Sequence, residues 1–171
     1  MAQFESRVAL WAKIKTPGGA MQIVATHLSH GITSRSAESA QRQLAAALAF
    51  SDEKADADSP ALRFFACDCN LPKDLVGETV AQESPEFIDT FRALNPDDLG
   101  LTGGQDVIVT KDPERPMMTE RIDYVLGRSG SCALQLVSSR LFLDEPILFG
   151  PDFLWASDHL GVLTTVSIAG C

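Results

Sequence analysis

The chain is poor in positive charge. Fourteen Lys and Arg stand against 23 Asp and Glu, a formal net charge of −9 over 171 residues. That balance disfavours a protein whose affinity rests on neutralising many phosphates with basic side chains. It does not exclude phosphate chemistry, because acidic side chains recruit a divalent cation that supplies the positive charge locally. No apolar run approaches the roughly 20 residues that span a bilayer, and the opening residues lack the hydrophobic region of a secretion signal. No targeting element therefore assigns a compartment, and the cytoplasm is favoured. The four cysteines, Cys67, Cys69, Cys132 and Cys171, include no C-x₂-C pair, so reduced thiols are expected rather than a zinc ribbon or a disulfide framework. No repeat, low-complexity tract or linker divides the chain, and residues 1–171 read as one domain.

At 45% hydrophobic and 22% charged, the composition is that of a globular domain able to bury its own core. Residues 7–14 and 21–27 read as strands joined by the turn Thr16-Pro17-Gly18-Gly19. Residues 36–50 are rich in helix formers, with Ala40, Leu44, Ala47 and Leu48 on one face. An acidic turn is expected over 51–60, then a strong strand over 61–70 stopped by Pro72. Alternation along that strand turns Asp68 and Asn70 one way and Cys67 and Cys69 the other.

Residues 73–120 read as mostly irregular, with a short helix over 84–94 ended by an Asp89–Arg92 ion pair and a Gly- and Pro-rich passage beyond Gly100. That passage has the composition of a substrate loop, and its one basic cluster, Lys111 to Arg115, is too small to bind a polyphosphate. Strands are expected over 121–126, 134–142 and 160–168. About six strands with one long and one short helix, not alternating β and α, predict an α+β fold, a layered β-sandwich flanked by helices.

The polar residues that carry chemistry all fall at strand ends or strand–loop junctions. Thr26-His27-Leu28, Cys67-Asp68-Cys69-Asn70, Arg121-Ile122-Asp123-Tyr124 and Ser157-Asp158-His159 resemble, in order, four motifs of the endonuclease/exonuclease/phosphatase superfamily. That superfamily includes deoxyribonuclease-I-like enzymes, abasic-site endonucleases, neutral sphingomyelinases and inositol-polyphosphate phosphatases. Arg42 and Gln43, and Asp89-Thr90-Phe91-Arg92, resemble its secondary features. The glycine of the family's Gly-Asp-x-Asn strand is replaced by Cys67.

The resemblance implies a deoxyribonuclease-I-like fold and hydrolysis of a phosphodiester or phosphomonoester with Mg²⁺ or another divalent cation such as Mn²⁺. His159 is similar to the catalytic histidine and Asp123 to the carboxylate that orients its ring. Asp158 is similar to a metal ligand. Asp68 and Asn70 resemble the pair that positions the attacking water and the phosphate, and His27 resembles a phosphate-contacting histidine. The family's early asparagine and its metal-binding glutamate have no match here. The chain therefore resembles the C-terminal two-thirds of the domain, N-terminally truncated, with an apolar sheet face and open strand edges expected at the surface. Two further expectations follow from this: a partner in the missing N-terminal portion or in self-association through the exposed sheet, and, as the alternative to catalysis, an inactive remnant or binding module of the same fold.

Overall fold

The computed structural model describes residues 6–30, 34–104, 107–114 and 117–171. Strands β1 (Ala9–Thr16) and β2 (Gly19–His27) form the expected hairpin, with Leu10 opposite Ala25 and Ile14 opposite Met21. Helix α1 (Ser34–Asp58) crosses over to β3 (Leu62–Asp68), which pairs parallel to β2. Helix α2 (Lys73–Glu83), the short β4 (Ile88–Asp89), α3 (Thr90–Leu94) and β5 (Val109–Thr110) fill the stretch read as mostly irregular. Strands β6 (Asp123–Ser129), β7 (Ala133–Phe142), β8 (Ile147–Phe149), β9 (Asp152–Leu154) and β10 (Gly161–Ala169) complete the fold.

Five strands form one sheet in the order β1-β2-β3-β6-β4, while β10-β7 and β5-β9-β8 form two smaller sheets. The main core lies between the large sheet and the helices. Val24, Phe65, Tyr124 and Leu126 meet Leu44 and Leu48 of α1 and Val76 and Val80 of α2. Strand alternation explains this layer: Gln22 and Val24 of β2 face α1, and Gln22 Nε2 donates to the Ser51 carbonyl at 2.8 Å. On the opposite face the β10-β7 sheet packs against β6 and α3. Thr90 Oγ1 lies 2.7 Å from Thr164 Oγ1, and Ser139 Oγ lies 2.9 Å from that same hydroxyl. Gly127 permits this approach, since a Cβ there would lie 2.7 Å from Leu134 Cδ2.

Part of that opposite face is open. Leu10 is 68% exposed and Ile14 40%, as expected for an incompletely covered sheet, and Leu148 and Phe149 of β8 are also exposed.

Three sequence expectations are corrected. The acidic segment 51–60 continues α1 to Asp58, because Ser51 and Ala55 extend the buried stripe of Leu44, Ala47 and Leu48 at helical spacing. The negative charge of Asp52 is met by Arg63 and Arg128. Asp89 and Arg92 are not an ion pair: Asp89 caps α3 by accepting from Arg92 N at 3.1 Å and pairs with Arg121 Nη2 at 2.7 Å. The Arg92 guanidinium instead donates to carbonyls of the following turn, including Pro96 O at 2.9 Å. The cysteines are disulfide-bonded, Cys67 to Cys69 and Cys132 to Cys171. Alternation does place Cys67 and Cys69 together on the core side, and the end of β3 brings their Cα atoms to 5.0 Å, within disulfide reach. Of the basic cluster Lys111 to Arg115, Lys111 pairs with Asp152, and Arg115 lies outside the described residues.

Candidate active site

Three strands end together. In the register of the large sheet His27 of β2 is opposite Asp68 of β3, and Asp68 is opposite Asp123 of β6. Paired residues of neighbouring strands project to the same side, so the three polar side chains line one edge although 41 and 55 positions of sequence separate them (27 to 68, 68 to 123). His27 Nε2 lies 3.3 Å from Asp68 Oδ2.

Asn70 follows in a left-handed conformation, φ 46°. That backbone turns its carboxamide back across the strand ends, where Nδ2 donates to Leu28 O at 3.2 Å and lies 3.1 Å from His27 Nε2. Its own N–H donates to Asp68 Oδ1 at 3.1 Å. Gln43 on α1 steadies the loop after β2, accepting from Ser29 N at 2.9 Å and donating to Ser29 Oγ at 3.0 Å. Arg42, by contrast, is exposed and lies 3.8 Å from Glu38.

The fourth contribution comes from the loop before β10. His159 Nδ1 lies 2.9 Å from Asp123 Oδ2 and 3.9 Å from Asp68 Oδ2. An ionised carboxylate only accepts, so Nδ1 carries the proton and Nε2 is directed away from Asp123. Burial works against the charged ring, but the charge and hydrogen bond of Asp123, with the charges of Asp68 and Asp158, lift His159 above the usual histidine value. Burial pushes the Asp123 carboxyl up. The Thr102 hydroxyl and His159 oppose that shift, and the Asp68 charge adds to it.

Asp158 is adjacent to this cluster in sequence and accepts from Ser157 Oγ at 3.2 Å, while the same hydroxyl accepts from His159 N at 3.0 Å. Among the described residues the acidic group whose ligand atoms all lie within 4.8 Å of one another is Asp68, Asp123 and His159. The expected residues are therefore brought to one edge, with Asp158 at its margin. Two half-buried carboxylates, Asp68 and Asp123, side by side at this edge form a donor set suited to a hard divalent cation. A groove of about 260 Å³ runs over Asp68 and Asp123. A larger cleft of about 650 Å³ begins at Asn70 and Ile122 and is walled by Leu71, Leu101, Lys73 and His30.

Sequence reasoning missed the supports behind these residues. Arg121 is buried and pairs with Asp89 beneath the start of β6. Thr102, fully buried, contacts the backbone at Asp123 and at Leu160. A lone threonine among the glycines 100, 103 and 104 carries no periodic signal that could have marked it.

No protein-family model matches the chain, and no curated protein sequence does. Solved structures do. One of TDP2 from D. rerio, complexed with single strand DNA product, superposes with a TM-score of 0.71 at 21% identity, covering 94% of this chain and 62% of that one. A mannosyl-6-phosphatase from Bacteroides thetaiotaomicron gives 0.64 at 16% identity, covering 94% and 57%. An endonuclease/exonuclease/phosphatase from Beutenbergia cavernae gives 0.59 at 23%, covering 96% and 40%. The chain thus spans roughly two-fifths to three-fifths of the length of these structures. The mixed five-stranded sheet, its helical layer and the second sheet behind it form the α+β, deoxyribonuclease-I-like fold that the chain shares with these structures.

Proposed function

We propose that this chain is a divalent-metal-dependent phosphoesterase in which water attacks phosphorus at the joined ends of β2, β3 and β6. The observation that carries the reading is the register that sets His27, Asp68 and Asp123 side by side, with His159 Nδ1 2.9 Å from Asp123. That geometry supports a division of labour. Asp68, with an oxygen facing the open groove, accepts a hydrogen bond from the incoming water and orients it. Asn70 Nδ2 and His27 supply donors for the phosphoryl oxygens. Asp123 fixes the tautomer of His159, leaving Nε2 to meet the charge that grows on phosphorus-bound oxygen. The bond from water oxygen to phosphorus forms as the bond to the leaving oxygen breaks, with the attacking water's proton passing to Asp68 and the leaving oxygen taking a proton from a solvent water.

Asp158 is the carboxylate that would hold Mg²⁺ or Mn²⁺, beside the edge formed by Asp68 and Asp123. The ion would neutralise phosphate charge in a site otherwise acidic. This reconciles a net charge of −9 with an anionic substrate. The neighbours include a protein solved with a single strand DNA product and a mannosyl-6-phosphatase. A phosphodiester or a phosphomonoester is accordingly the substrate class, with the group beyond the phosphate lying in the cleft beside Asn70.

The test compares hydrolysis of a diester and a monoester chromogenic substrate by the wild type and His159→Ala in Mg²⁺ and in EDTA. The expected result is Mg²⁺-dependent turnover that falls at least about 100-fold in the variant, with circular dichroism unchanged. Equal Mg²⁺-dependent turnover in both proteins overturns the role of His159, and a wild type without turnover overturns the reading in favour of an inactive binding module of the same fold.

A further inference from the structure

We propose that Thr102 is a positioning residue that locks the two halves of the His159–Asp123 pair to each other; the inference rests on the phosphoesterase reading for its consequence in turnover. The pair is assembled from two segments that share no strand. Asp123 opens β6, and His159 lies in the loop leading to β10. A hydrogen bond of 2.9 Å between them therefore depends on something that holds the two backbones in step.

Thr102 makes that connection from a site with no exposure to solvent. Its Oγ1 accepts from Asp123 N at 3.1 Å and from Ile122 N at 3.3 Å, so the side chain carries the end of β6. Its carbonyl accepts from Leu160 N at 2.8 Å, so the main chain carries the residue after His159. Its own N–H donates to Glu120 O at 2.8 Å, fixing Thr102 against the segment that leads into Asp123.

The next residue reports how closely these segments lie. A Cβ on Gly103 would fall 2.5 Å from Ile122 Cδ1 and 3.5 Å from His159 Cε1. The Leu101–Gly103 strap is thus threaded between the two catalytic segments, and Thr102 bonds to both.

Valine has the shape of threonine without the oxygen. In Thr102→Val the N–H groups of Ile122 and Asp123 lose their acceptor while the packing is kept, and the start of β6 is free to drift from the His159 loop. Displacements of this kind lower the rate more than they lower affinity. Serine retains the oxygen and loses only a methyl group.

The experiment has two arms on the full chain. In the first, the low-field proton NMR signal of the hydrogen-bonded His159 ring, assigned by its loss in His159→Asn, is expected in the wild type and in Thr102→Ser and is expected to vanish or move upfield in Thr102→Val. In the second, kcat on the phosphoester substrate is expected to fall about 10- to 100-fold in Thr102→Val with KM unchanged, and to stay within about threefold in Thr102→Ser. An unchanged NMR signal in a folded Thr102→Val overturns the proposal. So does a Thr102→Ser variant that loses the signal, a result that remains decisive if the valine variant does not fold. A wild type without turnover refutes the phosphoesterase reading alone, because the NMR arm still decides what Thr102 does.

Discussion

Asn70 concentrates several demands in one side chain. Its backbone is left-handed at φ 46°, a region that costs most side chains roughly 1 to 2 kcal/mol and that asparagine tolerates better than most. Its carboxamide bonds to Leu28 O and faces His27, and its N–H bonds to the Asp68 carboxylate. Replacement separates the conformational demand from the chemical one. Asn70→Gly and Asn70→Ala both remove the carboxamide and are both expected to lose turnover. Only the alanine carries the left-handed penalty, so its thermal midpoint is expected to lie below that of the glycine variant, as measured by calorimetry. Equal midpoints would show that the backbone at this position is not strained. Asn70 was legible in sequence as a candidate site residue from the Cys67-Asp68-Cys69-Asn70 motif. The conformation that aims it was not, because alternation along the strand places Asn70 beside Asp68 without revealing that β3 ends at Asp68.

At the scale of elements, the long helix and the third strand are tied by charge as well as by the apolar core. Asp52, in the part of α1 that the sequence suggested was a turn, accepts from Arg63, from Arg128 Nη1 at 3.0 Å and from Ser84 Oγ at 2.7 Å. Arg128 also pairs with Glu86. Burial works to raise the Asp52 carboxyl, yet the Ser84 hydrogen bond and the Arg63 and Arg128 guanidinium groups hold it below the ordinary carboxylate value. A group whose folded pKa is depressed contributes stability above its unfolded pKa and loses it as pH falls through the folded value. The contribution of Asp52 is therefore complete above about pH 5 and is lost below about pH 4. In urea unfolding, the difference in midpoint between the wild type and Asp52→Asn is expected to be largest near pH 6 and to shrink toward pH 3. A difference independent of pH would mean that the network acts through packing alone. This end of α1 was misread because the acidic residues of 52–58 look solvated when the partners, Arg63 and Arg128, lie 11 and 76 positions away (52 to 63, 52 to 128).

Across the whole molecule, the second disulfide fastens the ends of two strands that already pair, since Ala133 of β7 is opposite Ala169 of β10. Cys132 lies in the turn between β6 and β7, and Cys171 follows β10. The bond closes a separation of 39 residues, for which the chain-entropy account gives about 4 kcal/mol of stabilisation through the unfolded state. The Cys67–Cys69 bond closes a loop too short to contribute comparably. Because Cys171 is exposed, Cys171→Ser removes the cross-link without leaving a core cavity. Its unfolding free energy in urea is expected to fall by about 2 to 4 kcal/mol relative to oxidised wild type, and a reducing agent is expected to bring the wild type to the same value. A change below about 0.5 kcal/mol would show that this link contributes nothing to stability.

What the amino-acid order determined by itself was local: which segments alternate, which are helical, and which polar residues stand where strands stop. His27, Asp68, Asn70, Asp123, Asp158 and His159 stood out as candidates because short-range patterning marks strand ends, and because their residue types in that order resemble a known family. Pairing between distant segments was decided only in three dimensions. The parallel register of β2 with β3, and the antiparallel register of β3 with β6, place His27, Asp68 and Asp123 in line. Hydrogen bonding between strands depends on partners that no local window contains. The same reason hid α2, the small β5-β9-β8 sheet and Thr102. Their residues have weak local preferences, and what holds them is burial against elements that lie close only after the chain has folded.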